Sequence, residues 1–197
     1  MADTKVSRPS QEEAEEAVRV LLRWIGEDPG RAGLGRTPTR VVSAYGDWYG
    51  GYEIDPYALL GSSFQEVQDY KRIVTLCDID FSSHCEHHMA AIIGRIHLAY
   101  LPDKRLAGIS KLVRVVEAFT KRLQVQERLT AEIAQCINDT LEPKGVAVVV
   151  EAQHQCMTTR GVNKTDVKMV TNEMLGVFEN DDRLRNEFLY RIGQVSV

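Results

Sequence analysis

Residues 146–156 read V-A-V-V-V-E-A-Q-H-Q-C, and this stretch limits the fold more than any other. With period two, Val146, Val148, Val150, Ala152, His154 and Cys156 share one face, and Ala147, Val149, Glu151, Gln153 and Gln155 share the other. An apolar row of this kind must join a sheet and be covered by a second layer. His154 and Cys156 extend the row side by side, so the same strand predicts a site at its end. The longest apolar runs, Val146–Val150 and Met89–Ile93, are far short of the ~20 residues that span a bilayer.

The covering layer is legible on both sides of that strand. Ile92–Leu101 alternates, with Ile92, Gly94, Ile96, Leu98 and Tyr100 on one face. Pro102–Asp103 is a turn signal. Ile109, Leu112, Val115, Val116, Phe119 and Leu123 then form a helical stripe. A second helix is predicted from about Gln126 to Leu141, carrying Leu129, Ile133, Ile137 and Leu141, and Pro143 and Gly145 stop it. Arg72–Leu76 is β-prone, Thr171–Phe178 reads as a short strand, and Asp181–Ile192 as an amphipathic helix with Asp181 and Asp182 in its first turn. Before residue 70 the chain is helical and loop-rich. Ser10 and Glu13 form a capping box, Thr37 reads as an N-cap with Pro38 behind it, and Gly50, Gly51 and Pro56 end that helix. The expected organisation is an N-terminal helical region, residues 1–70, and an α+β domain, residues 71–197, with a mostly antiparallel sheet and paired helices on one face.

At 197 residues, 44% of them apolar, the chain can bury a sizeable core without disulfides, and disorder along its length is excluded. Its 24 basic and 28 acidic residues, net −4, argue against a nucleic-acid or membrane-surface partner. A small polyanion remains compatible, because a few cations in one site hide in such a balance. Lys5 and Arg8 are followed by Gln11–Glu16 rather than by an apolar stretch, so no signal peptide is read and a cytoplasmic location is expected. In a reducing compartment Cys77, Cys85, Cys136 and Cys156 are thiols or ligands rather than disulfides.

Ser82–Met89 reads S-S-H-C-E-H-H-M. Cys85 and His88 are three apart, so one tight helical turn brings them to the same side. A thiolate and an imidazole at that spacing suit zinc. His87 falls on the far side of such a turn and faces a neighbouring pocket instead. With Cys156 the set is Cys85, His88 and Cys156, three ligands and one open position, as catalytic zinc sites have. His154 is either a fourth ligand or a proton carrier beside the metal, and the second role is favoured. Cys77 and Cys136 sit in apolar contexts and read as small core residues. His97, alternating with Arg95, reads as a surface residue or one behind the ligands, and His84 has no partner in the pattern.

Gly108–Arg114, G-I-S-K-L-V-R, opens a helix. Its backbone N–H groups, Ser110, Lys111 and Arg114 suit a phosphate, although an ordinary capped helix with solvated cations fits the same letters. Gln124–Arg128, Q-V-Q-E-R, opens the next helix. There Glu127 could accept two parallel N–H bonds from the edge of guanine with Gln126 in support, or simply complement the helix dipole. Arg160 could reach a phosphate, or be a loop arginine before a glycine turn. No G-x-x-x-x-G-K-[ST] loop occurs, which removes a simple nucleotide hydrolase of that type. A zinc-stabilised binding module without turnover remains as a rival.

The segments C-E-H-H-M (85–89), G-I-S-K-L-V-R-V-V-E (108–117), R-L-Q-V-Q-E-R-L-T (122–130), H-Q-C-M-T-T-R-G-V (154–162) and M-L-G-V-F (174–178) resemble those of GTP cyclohydrolase I, in that family's order. T-P-T-R-V (37–41) resembles its N-terminal part. The resemblance implies conversion of GTP and water into formate and 7,8-dihydroneopterin triphosphate, on the way to folate-type pterins. It implies a tunnelling (T-) fold and a toroidal homodecamer with active sites at subunit interfaces. Carried over motif by motif, Cys85, His88 and Cys156 bind zinc, and His87 and His154 carry protons. Glu127, with Gln126 near it, holds guanine; Ser110, Lys111, Arg114 and Arg160 hold the triphosphate; Glu86 contacts the ribose. Zinc would make hydroxide available near neutral pH for attack at purine C8 while His154 protonates N7.

Overall fold

The computed structural model describes residues 7–61 and 70–195; Lys5 and residues 62–69, next to the expected boundary at 70, lie outside the described residues. It divides into two compact units that meet at Tyr49/Gly50. The first holds helices α1 (Gln11–Trp24) and α2 (Thr37–Tyr49). The capping box forms as read: the Glu13 N–H donates to Ser10 Oγ at 3.2 Å and the Ser10 N–H donates to the Glu13 carboxylate at 2.7 Å. Helix α2 begins one residue earlier than expected. The Arg40 N–H reaches the Arg36 carbonyl, so Thr37 is already helical rather than the cap. Among the described residues Pro38 is the one buried residue of this unit, and on α1 Leu21 is 59% exposed.

The second unit begins at Gly50, earlier than the change at residue 70 that composition suggests. A short 3₁₀ turn (Gly50–Glu53) and α3 (Pro56–Gly61) belong to it. Leu60 is fully buried in the main core, and the Arg122 guanidinium donates to the carbonyls of Gly51 and Ile54. Then follow β1 (Val74–Cys85), β2 (Ala91–Leu101), α4 (Ile109–Thr120), β3 (Leu123–Gln124), α5 (Gln126–Leu141), β4 (Gly145–His154), α6 (Gln155–Thr158), β5 (Met169–Gly176), α7 (Val177–Asn180) and α8 (Asp182–Val195).

One five-stranded sheet runs β3-β1-β2-β4-β5; β3 lies parallel to β1 and the other pairs are antiparallel. Its inner face packs on α4 and α5. Val146, Val148, Val150 and Ala152 of β4 and Ile92, Ile96, Leu98 and Tyr100 of β2 meet Leu112, Val115, Val116, Leu129, Ile133 and Ile137 there. Fully burying each such side chain contributes about 1.5–3 kcal/mol. Ile109 departs from its predicted stripe and is 69% exposed, because it stands in the first turn of α4, and Leu123 leaves the helix for β3. The opposite face is also covered in part, which alternation alone does not reveal. Ala99, Ala147 and Val149 pack there with Phe178 of α7 and Phe188 and Ile192 of α8. This second layer is why His97 is buried, only 1% exposed, and not at the surface.

Two strand ends differ from the sequence reading. Strand β4 stops at His154, and the chain turns into α6 at Gln155. Cys156 therefore leaves the apolar row and does not lie beside His154 on it; both are half-buried. Strand β5 starts at Met169 and ends at Gly176, whose φ is +62° and where a Cβ would meet the Lys144 carbonyl oxygen at 2.3 Å. Only glycine fits this close turn, and beyond it Phe178 is helical and buried. Asp181 caps α8, accepting the N–H groups of Arg183 and Leu184. No helix among the described residues is long and apolar enough to cross a membrane.

Candidate metal centre and acid–base site

Strand β1 ends at Cys85, whose N–H donates to the Ala90 carbonyl at 2.9 Å. The Met89 N–H returns to the Cys85 carbonyl at 2.8 Å, and Met89 takes a left-handed φ of +53°. Residues 86–88 are thus a single helical turn at the tip of a hairpin, which puts Cys85 and His88 on one side as their spacing predicts. Cys85 Sγ lies 3.9 Å from His88 Nδ1. The first turn of α6 brings up Cys156, and one ligand atom from each of the three residues lies within 4.8 Å of the others. A tetrahedral ion with bonds of ~2.0–2.3 Å holds its ligands roughly 3.5 Å apart, so a small contraction closes the set. Burial, and then the neighbouring Cys85 thiol, push the Cys156 thiol upward. A bound cation would reverse that opposition to ionisation at Cys156. Cys85, His88 and Cys156 could hold a metal ion. Three protein ligands leave a tetrahedral ion one further position.

His87 is exposed, and its ring stands at 77° to that of His88 with centroids 6.3 Å apart, so it flanks the triad. Arg160, on the exposed loop after α6, places Nη1 3.0 Å from His88 Nε2.

His154, the last residue of β4, turns Nε2 to Gln126 Oε1 at 2.8 Å. Burial lowers its imidazole pKa, and the Glu127 carboxylate works against that shift. Gln126 is the first residue of α5 and is 1% exposed. Its Nε2 meets the Val150 carbonyl (3.1 Å), the Met169 carbonyl (3.0 Å) and Thr171 Oγ1 (3.2 Å). The side chain thus pins the start of α5 to β4 and β5. Glu127, next in sequence, is exposed.

Glu86 is held by the Arg128 guanidinium, which keeps its carboxyl below the usual carboxylate range. Arg128 also donates to Gln124 Oε1, and Gln124 Nε2 donates to the Phe119 carbonyl and to Glu132. Sequence reasoning passed over Arg128 and Gln124, although their i,i+4 spacing marks them as partners. Thr130 and Thr171, 2.7 Å apart through their hydroxyls, carry no local signal, being 41 residues apart.

The phosphate candidates are placed differently. Gly108 caps α4 with no side-chain bond, and Ser110 stands exposed in its first turn. Lys111 and Arg114 line a cleft with Glu53, Ile54 and Asp55. No member of the Cys85–His88–Cys156 triad lines that cleft. Away from the site, Cys136 is a core thiol whose pKa burial raises to about 11, and Cys77 is half-buried against the outer layer.

Residues 14–193 match the family model described as GTP cyclohydrolase I. The chain is 53% identical over 183 residues to GTP cyclohydrolase 1 of Maricaulis maris strain MCS10, covering 93% of this chain and 89% of that one. It is 53% identical over 189 residues to GTP cyclohydrolase 1 of Hyphomonas neptunium, covering 96% and 92%. To GTP cyclohydrolase 1 of Sinorhizobium fredii it is 49% identical over 189 residues, again covering 96% and 92%. A match of this extent, over a sheet whose strand ends gather two thiols and two imidazoles, leaves one assignment: the chain belongs to the GTP cyclohydrolase I family.

Proposed function

We propose that this protein converts GTP and water into formate and 7,8-dihydroneopterin triphosphate, the entry step to folate-type pterins, with a zinc ion held by Cys85, His88 and Cys156. The observation that carries this reading is the closeness of those three ligand atoms, within 4.8 Å, in a chain of this family. Two thiols and an imidazole are the donor set zinc favours over harder cations. When bound, zinc supplies Lewis-acid activation of the water that adds at purine C8. The chain's own groups do the rest. Glu127 accepts the N1–H and amino N–H of guanine as a bidentate pair. His154 delivers a proton to N7 as C8 is attacked, and the resulting formamide is hydrolysed to formate. His87, beside His88, shuttles protons during rearrangement and closure of the ribose. Glu86 contacts the ribose hydroxyls from its seat on Arg128, and Arg160 meets the triphosphate.

Lys111, Arg114 and Ser110 also bind the triphosphate, supplied to this site by a second copy of the chain. Their separate cleft within one chain supports a homo-oligomer, a toroidal decamer, with sites completed at subunit contacts. The reaction takes place in the cytoplasm. The test incubates purified protein with GTP and measures formate and pterin fluorescence with and without a chelator. Formate and a fluorescent pterin that vanish on chelation and return with zinc support the reading. A protein that binds GTP without releasing formate contradicts it.

A further inference from the structure

The hydrogen-bond network behind His154 fixes how its ring is held. The Gln126 amide can be oriented in one way only. Its Nε2 faces two backbone carbonyls, of Val150 and Met169, which accept and never donate. Rotating the amide by 180° would set Oε1 against both oxygens at about 3 Å and leave a buried carbonyl pair unpaired. The hydroxyls agree with this orientation. Thr130 Oγ1 donates to the Gln126 backbone carbonyl at 2.8 Å, so it accepts from Thr171 Oγ1 at 2.7 Å. Thr171 Oγ1, having donated its one hydrogen, can only accept from Gln126 Nε2 at 3.2 Å. Every bond in the chain of donors runs the same way, and Gln126 Oε1 is left as the acceptor that faces His154.

An acceptor opposite Nε2 requires a hydrogen on Nε2. We infer that Gln126 is a positioning residue which orients the His154 ring and holds it in the Nε2–H tautomer. Gln126 then acts through His154 and not through guanine, which Glu127 alone of this pair meets. The inference rests on the reading of His154 as a proton carrier, but the tautomer itself can be measured apart from any activity.

Two experiments test it on the full-length, metal-loaded protein. In the first, Gln126→Met keeps the side-chain volume and removes the acceptor. Loss of a hydrogen bond that orients a working histidine costs ~10–100-fold in turnover, so kcat should fall by that factor while KM for GTP and bound zinc stay within about twofold. A KM that rises with kcat preserved would make Gln126 a guanine contact and overturn the inference. In the second, solid-state ¹⁵N spectra are taken of the sedimented, ¹⁵N-histidine-labelled protein at pH 8, and His154 is assigned by subtraction against His154→Asn. This experiment serves even where the methionine variant does not fold, because it uses the unaltered chain. A protonated Nε2 with a bare Nδ1 is expected. A proton on Nδ1 and none on Nε2 would overturn the tautomer assignment whether or not the protein makes formate.

Discussion

Where Gln126 meets His154, the amide is almost wholly buried and each of its polar atoms has a protein partner; where Lys111 and Arg114 line their cleft, Arg114 is exposed and two carboxylates, Glu53 and Asp55, share the walls. The first region is fixed by the fold before any ligand arrives, since α5, β4 and β5 all contribute to it. The second is lined by long, charged side chains, which on the proposed reading a polyanion draws together. On that reading, binding energy spent on the phosphates is separable from proton transfer at the base, and variants should divide along that line.

The largest effect is expected at the metal end. Cys156→Ala removes one of three ligands, so bound zinc and formate release should both fall to background, read by metal analysis and the formate assay. Zinc retained at full occupancy would break the comparison at its rigid half. His154→Ala should keep zinc and lose about 10²–10⁴-fold in kcat, the span of general acid–base catalysis. If zinc is lost instead, His154 is a ligand. In the other region, Lys111→Ala removes a charge-assisted bond of ~1.5–3 kcal/mol, so GTP should bind roughly 10–100-fold more weakly while guanosine binding is unchanged. Equal losses for both would show that the two regions do not work separately.

Beneath the rigid half, Ile133→Ala opens a cavity in the layer that seats α5. It should cost ~2–5 kcal/mol in denaturant unfolding. The smallest effect concerns His97, whose Nδ1 accepts the Asp78 N–H at a bulge in β1 where Asp78 has φ +53°. Burial lowers its pKa, with the carboxylates of Asp78 and Glu151 opposing the shift and Arg95 assisting it. The unfolded chain therefore takes up this proton first as pH falls below about 6.5, and native stability declines from there until the folded imidazole is protonated too. His97→Asn keeps an acceptor for Asp78 and removes the titration. Its stability curve should be flatter below pH 6.5 by at most ~1.4 kcal/mol per pH unit. An unchanged slope would mean that His97 takes up its proton equally in the folded and unfolded states.

Much of the fold was legible because its periodicities are local. Helix α5 runs Gln126–Leu141 as the spacing of Leu129, Ile133, Ile137 and Leu141 predicts, and the α+β tunnelling-fold sheet is mostly antiparallel. What escaped was set by contacts distant in sequence. Alternation in β4 cannot show that Gln155 begins a new helix, because strand and helix share their first residues' letters. The covering of Ala147 and Val149 by Phe178 and Phe188 depends on where the chain's last helices fold back. In the site, Cys85 and His88 were readable from a three-residue spacing. Gln126 was read only as support for guanine, because its partners on β4 and β5 are 24 to 45 residues away.

The proposed zinc site is tested most directly by X-ray absorption at the zinc edge on the purified, active protein. The account predicts one zinc per chain, with two sulfur ligands at about 2.3 Å and lighter ligands at about 2.0–2.1 Å. An absorber with no sulfur neighbours, or full formate release from protein that holds no zinc, would contradict it.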